Sequence, residues 1–169
     1  MLALLVAQNI AFYVIAALMV FGAIRVVTSK NIMHAALWLV LVLAGVAAQY
    51  ILLAAEFVAI TQVLVYLGAI MVLFLFGIML TRSKIGRTDD LDNPGPAKAV
   101  AAGIGVILAG LLGFALWDGF EDREFGDIAV QRTAEVSDSI FSTFLIPFWV
   151  ISVLLLVALV GAIVLARRD

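Results

Sequence analysis

The chain has 169 residues, of which 66% are hydrophobic and 13% charged, with a formal net charge of -2 and a mean hydropathy of +1.23. That composition excludes a soluble domain with a wet surface. Spans of about 20 residues each use up the length, which leaves no room for a separate soluble catalytic domain. Without cysteine, the chain has no thiolate for an iron–sulfur cluster, no disulfide and no thiol nucleophile.

The first membrane span is predicted at about 2–24, stopped by Arg25 and Lys30. No positively charged region precedes it and no small-residue cleavage site is evident, so it reads as a retained anchor. The next apolar block, Ile32 to Leu80, is too long for one crossing at about 1.5 Å per residue. It divides into spans at about 32–51 and 56–80 around a tight turn at Leu52 to Ala55. Residues 81–96 read as a loop closed by the helix breakers Pro94, Gly95 and Pro96. A fourth span is predicted at about 97–117, a polar segment at 118–143, and a fifth span at about 144–166, ending at Arg167, Arg168 and Asp169. The expectation is an all-α integral membrane protein, one domain over 1–169 with five transmembrane helices and no internal repeat.

The basic residues set the expected orientation. Placing the N-terminus outside puts Arg25, Lys30, Arg82, Lys84, Arg87, Lys98, Arg167 and Arg168 on the cytoplasmic side and leaves Arg123 and Arg132 outside. This is the positive-inside pattern, with the C-terminus cytoplasmic, the 81–96 loop inner and the 118–143 loop outer. The outer loop carries Asp118, Glu121, Asp122, Glu124, Asp127, Glu135 and Asp138, and reads as a solvated, partly helical segment. A cation-binding surface is the other reading of those carboxylates.

The third span, EFVAITQVLVYLGAIMVLFLFGIML, gathers the polar groups: Glu56 at its start, then Thr61, Gln62 and Tyr66. An acid inside a membrane stretch costs roughly 2.5 to 3.5 kcal/mol at the centre of a helix and less toward an interface. Two readings of Glu56 stand side by side. One is a hydrated interfacial carboxylate favoured by the positive end of the helix dipole. The other is a proton carrier facing neighbouring helices. Gly68 either permits close helix approach or marks a weak point where the helix takes up a π-bulge. Ala102, Gly103, Gly105, Ala109, Gly110 and Gly113 in the fourth span form a small-residue stripe suited to packing. His34, following Asn31, reads as a residue at the start of a helix, with a proton-relay or partner contact as the alternative. One histidine and no cysteine cannot build a metal site.

The stretch AAEFVAITQVLVYLGAIMVLFLFGIML at 54–80 resembles the third helix of the J subunit family of proton-pumping NADH:quinone oxidoreductase, respiratory complex I, whose mitochondrial counterpart is NADH dehydrogenase subunit 6. NIMHAALWLVLVLAGVAAQYILL at 31–53 and LIPFWVISVLLLVALVGAIVLARR at 145–168 agree. The resemblance implies five helices and a core, non-catalytic membrane subunit that helps couple quinone reduction to proton translocation. It makes Glu56 the acidic residue of the third helix and Tyr66 a further proton-path candidate. It places Tyr66, Leu67, Gly68 and Ala69 at a π-bulge region that switches form beside a path from the quinone site to the antiporter-like subunits. It further implies partners of the K and H type, a bacterial cytoplasmic (inner) membrane, no nucleic acid, and no cofactor on this chain, with FMN, iron–sulfur clusters, NADH and quinone handled by other subunits. The family often has proline where this chain has Ile32, and glutamate where it has Trp149. The second difference removes an ionisable group from the fifth span and leaves Glu56 to bear more of the mechanism. The open alternatives are a structural subunit without a proton path, or the equivalent subunit of a hydrogenase, a ferredoxin- or F420-linked dehydrogenase or a cation/proton antiporter complex.

Overall fold

The computed structural model describes residues 2–80, 95–121 and 132–167. All described secondary structure is helical: α1 (Leu2–Thr28), α2 (Ile32–Leu52), α3 (Glu56–Leu80), α4 (Gly95–Phe120), α5 (Thr133–Phe141) and α6 (Leu145–Ala166). Five of these, all but α5, are long and apolar enough to cross a membrane. Of the two expected loops, residues 81–94 and 122–131 lie outside the described residues.

Two sequence boundaries move for local reasons. Gly95 and Pro96, expected in the 81–96 loop, open α4 instead. Proline is tolerated in a first helical turn, where its missing N–H has no intrahelical partner to lose. Within the expected 118–143 segment, α5 forms with the main-chain N–H of Arg132 donating to Glu135 Oε2 at 3.2 Å. Half-buried Val136, Ser137 and Ile140 give it an inward side, and it rests on the Glu56–Thr61 part of α3. Phe141 meets Phe148 of α6 edge to face at 5.4 Å.

Helices α1 and α2 run antiparallel and approach closely because small residues line the seam. Gly22 is buried there. A Cβ on Gly22 would lie 2.9 Å from Val42 Cγ2, and one on Gly45 would press on Met19 Cγ. The two glycines should therefore tolerate change differently. Val42 is β-branched and stiff, so Gly22→Ala is expected to destabilise the pair by about 1–3 kcal/mol. Met19 can swing aside, so Gly45→Ala should cost less. Heating the detergent-solubilised protein and following loss of native assembly gives the order.

Amides reinforce this seam. Gln8 Nε2 donates to the carbonyl of Leu52 at 2.9 Å, capping the C-terminal end of α2, where the last carbonyls lack helical partners. Gln49 Nε2 returns a bond to Phe12 O at 3.2 Å. At the other end, Phe21 stacks edge to face on Trp38 at 5.5 Å, and the Arg25 guanidinium lies 5.5 Å from the same ring.

The turn from α2 to α3 is a Schellman motif. The Ala55 N–H reaches Tyr50 O at 2.9 Å and the Ala54 N–H reaches Ile51 O at 3.0 Å. Ala54 sits at φ 56, the left-handed region that a Cβ disfavours. Ala54→Gly is accordingly expected to stabilise the α2–α3 hairpin by up to about 1 kcal/mol, since relief of strain exceeds the added freedom of the unfolded chain. A raised midpoint of thermal dissociation would register it.

Helix α4 is placed differently. It touches no other described element, and its glycines Gly103, Gly105, Gly110 and Gly113 face open space. The small-residue stripe thus has no packing partner among the described residues of this chain.

Candidate functional site in the third membrane helix

Helix α3 is one rod with three parts: an α-helical start over Glu56–Thr61, a π-helix over Gln62–Ile70, and an α-helical end over Met71–Leu80. A π-helix bonds each N–H to the carbonyl five residues back rather than four, and such segments are rare and gather at functional sites. Tyr66, Leu67, Gly68 and Ala69 all lie inside it.

Burial along the rod records the wide turn. The residues turned away from the outside include Ala55, Ala59, Gln62, Leu67, Met71, Leu75 and Ile78, at intervals of four, three, five, four, four and three. The single interval of five falls in the π-helix. Gln62 and Met71, 7% and 3% exposed, are nine positions apart. In a regular α-helix, at about 100° per residue, they would point in opposite directions. Here both pack inward, and both flanking parts of the rod meet α2.

Closing the wide turn to regular α-helical spacing would exchange one face for another. Counting from Gln62 in steps of four, four, four and three, Tyr66, Ile70, Phe74 and Gly77 would come to α2 in place of Leu67, Met71, Leu75 and Ile78. Both sets are predominantly apolar. Hydrocarbon receives either without large penalty, because lipid tails are as apolar as the side chains. In polarity the two faces therefore differ only at Tyr66.

Gly68 lies inside the π-helix. The only neighbour a Cβ would meet is the carbonyl of Val63, five residues back, at 3.4 Å. That contact exists because the turn is wide. Tyr66 is half exposed on this chain.

Glu56 is the first residue of the rod, after Ala55, which supplies no side-chain cap. Its carboxylate is exposed at the helix N-terminus, where the dipole favours negative charge. It also borders a groove of about 370 Å³ whose other lining residues, Ile51, Ala59, Ile60, Val63 and Leu64, are apolar. Glu56 and Tyr66 form no hydrogen bond with each other, so the two candidates share a rod and not a direct contact.

Sequence reasoning passed over Gln8 and Gln49 and weighed Gln62 only as one polar residue among several. The Gln62 amide reaches from α3 to Leu43 O in α2 at 3.5 Å. The available signal was general: an amide at membrane depth must find a partner, since the hydrocarbon offers none.

Fold and site together define a polytopic helical membrane protein whose polar chemistry is concentrated on one irregular helix. Residues 22–165 match the family model for NADH-ubiquinone/plastoquinone oxidoreductase chain 6. Similar proteins include NAD(P)H-quinone oxidoreductase subunit 6 of the Paulinella chromatophora organellar chromatophore, 40% identical with 96% of this chain and 79% of the relative covered. NAD(P)H-quinone oxidoreductase chain 6 of Synechocystis is 39% identical over 96% and 82%. F(420)H(2) dehydrogenase subunit J of Methanosarcina mazei is 35% identical over 96% and 92%. The chain belongs to the NADH-ubiquinone/plastoquinone oxidoreductase chain 6 family.

Proposed function

We propose that this chain is a core membrane subunit of a complex I-type quinone oxidoreductase, and that α3 helps couple quinone reduction to proton translocation by passing between π and regular forms. The observation that carries this reading is the π-helix over Gln62–Ile70 in the span that also holds Glu56 and Tyr66. Glu56, at the edge of its apolar groove, is the group that exchanges a proton with polar side chains of neighbouring subunits. Tyr66 is the group whose position changes with the form of the helix.

The chain itself is non-catalytic in this reading. It has no cysteine to ligate iron–sulfur clusters, and flavin, clusters, NADH and quinone belong to other subunits. Relatives bear names with different electron donors, NAD(P)H in one case and F(420)H(2) in another. A membrane subunit shared by both acts downstream of the choice of donor. The exposed α4, which touches no other described element, is a surface for lipid and for neighbouring membrane subunits, those of the K and H type and the antiporter-like ones.

The positive-inside distribution supports an outer N-terminus and a cytoplasmic C-terminus in a bacterial inner membrane. With that orientation Glu56 lies at the outer end of α3 and Leu80 at the inner end. The deciding experiment is the proton-to-electron ratio of the purified complex in proteoliposomes, wild type against variants of α3. An unchanged ratio in variants that fix the form of the helix would leave the chain a structural subunit.

A further inference from the structure

Polar side chains are unevenly shared along α3. Glu56, Thr61 and Gln62 stand before or at the first residue of the π-helix, and from there to Leu80 the only polar side chain is that of Tyr66. Among the described residues Gln62 is also the one buried polar side chain. Its Nε2 donates to the main-chain carbonyl of Leu43. A rotation of the helix at this residue would take the amide off its acceptor, and the hydrocarbon supplies none in its place.

The Glu56 half has two further attachments. The Schellman turn ties its start to the end of α2, and α5 lies against Glu56–Thr61. Outside its own rod, the Met71–Leu80 half meets α2 alone among the described elements. Its side chains are apolar on every side, so rotation there exchanges like for like.

We propose that Gln62 is a positioning residue: with its amide on the Leu43 carbonyl it pins the Glu56 half of α3 to α2, so that a change of form in the π-helix is passed wholly to the Met71–Leu80 half. This rests on the reading of α3 as a two-form element and adds the residue that determines which end turns. The consequence for function is that Glu56 keeps its place while the face presented by the other end changes.

The test uses the assembled complex in proteoliposomes. Because this subunit lacks cysteine, introduced pairs report cross-links within it without background from native thiols of its own. Ala47→Cys with Ala59→Cys reports the Glu56 half, and Ala36→Cys with Met71→Cys reports the other; all four positions are buried. Antiparallel pairing through Gln62 and Leu43 brings the members of each pair to a similar level. Turnover with donor and quinone is expected to change cross-linking of the Ala36–Met71 pair severalfold and to leave the Ala47–Ala59 pair unchanged.

Gln62→Met keeps the length and removes the amide. In that background the Ala47–Ala59 pair should become sensitive to turnover, its cross-linking falling by about three- to twentyfold, the range set by single interhelical bonds in membranes. Electron transfer to an artificial acceptor should be retained. Equal sensitivity of both pairs with Gln62 intact would overturn the pin and leave the two-form helix standing. Insensitivity of both would overturn the pin together with the two-form reading. Identical behaviour of Gln62→Met and wild type would likewise overturn the pin. Should Gln62→Met fail to assemble, the comparison of the two pairs with Gln62 intact decides the matter.

Discussion

Gly68→Val is expected to lower coupled quinone-dependent turnover by about tenfold while leaving electron transfer to an artificial acceptor within about twofold of wild type. The cause is local. A Cβ at Gly68 meets the Val63 carbonyl at 3.4 Å, and valine adds two methyl groups held in a stiff rotamer against the same turn. The Cβ itself makes an ordinary contact there, so the overpacking comes from the two methyl groups and costs about 1–3 kcal/mol. It falls on the π form, because the neighbour five residues back is brought close by the wide turn. A penalty near 1.4 kcal/mol shifts a two-form equilibrium about tenfold. Comparing quinone-dependent proton uptake with artificial-acceptor activity in the same membranes checks it. Equal loss of both activities would mean failed assembly rather than a locked helix.

Glu56→Gln is expected to slow proton-coupled turnover by about tenfold or more, in line with the loss of a positioned proton-transfer group, with the complex still assembled. Glutamine preserves the size of the side chain and its place at the start of α3, and removes its negative charge and its ability to carry a proton. Glu56 already lies in the first turn of a helix, where a carboxylate is favoured, so a modest loss of stability, about 0.3–1 kcal/mol, accompanies the change. Stability and transport therefore separate. A full proton-to-electron ratio in Glu56→Gln would assign the carboxylate to interfacial anchoring alone.

The five spans were legible because length and hydropathy act over about 20 residues at once, and no local irregularity disturbs that sum. Smaller features were legible only where a single residue has a strong meaning. Pro96 was read as a breaker, yet the same ring fits a first turn, and α4 begins one residue before it. Helix α5, built from TAEVSDSIF, mixes serines and acids with a few apolar residues, so composition alone presented it as a polar segment that is helical only in part. The glycines at 22 and 45 gave no warning of their place in the α1–α2 seam, since glycine in a membrane helix serves packing, bending and chance equally well.

The site was harder to read from residues than the fold. Helix α3 is apolar on nearly all sides beyond Gln62, so hydrophobic periodicity is silent on how its turns are spaced. The interval of five between Gln62 and Leu67 becomes visible only when burial is known. Glu56 and Tyr66 stood out as polar groups in lipid-facing sequence, but their lack of a direct bond to each other is a matter of geometry that no spacing rule supplies.

The nine positions from Gln62 to Met71 also bear on heredity. Remove one codon between them, and a regular helix would set the two ends about 80° apart, where nine regular positions set them opposite. A gap in this stretch of a descendant's gene would therefore take away the need for the wide turn, and with it the second form proposed for the helix.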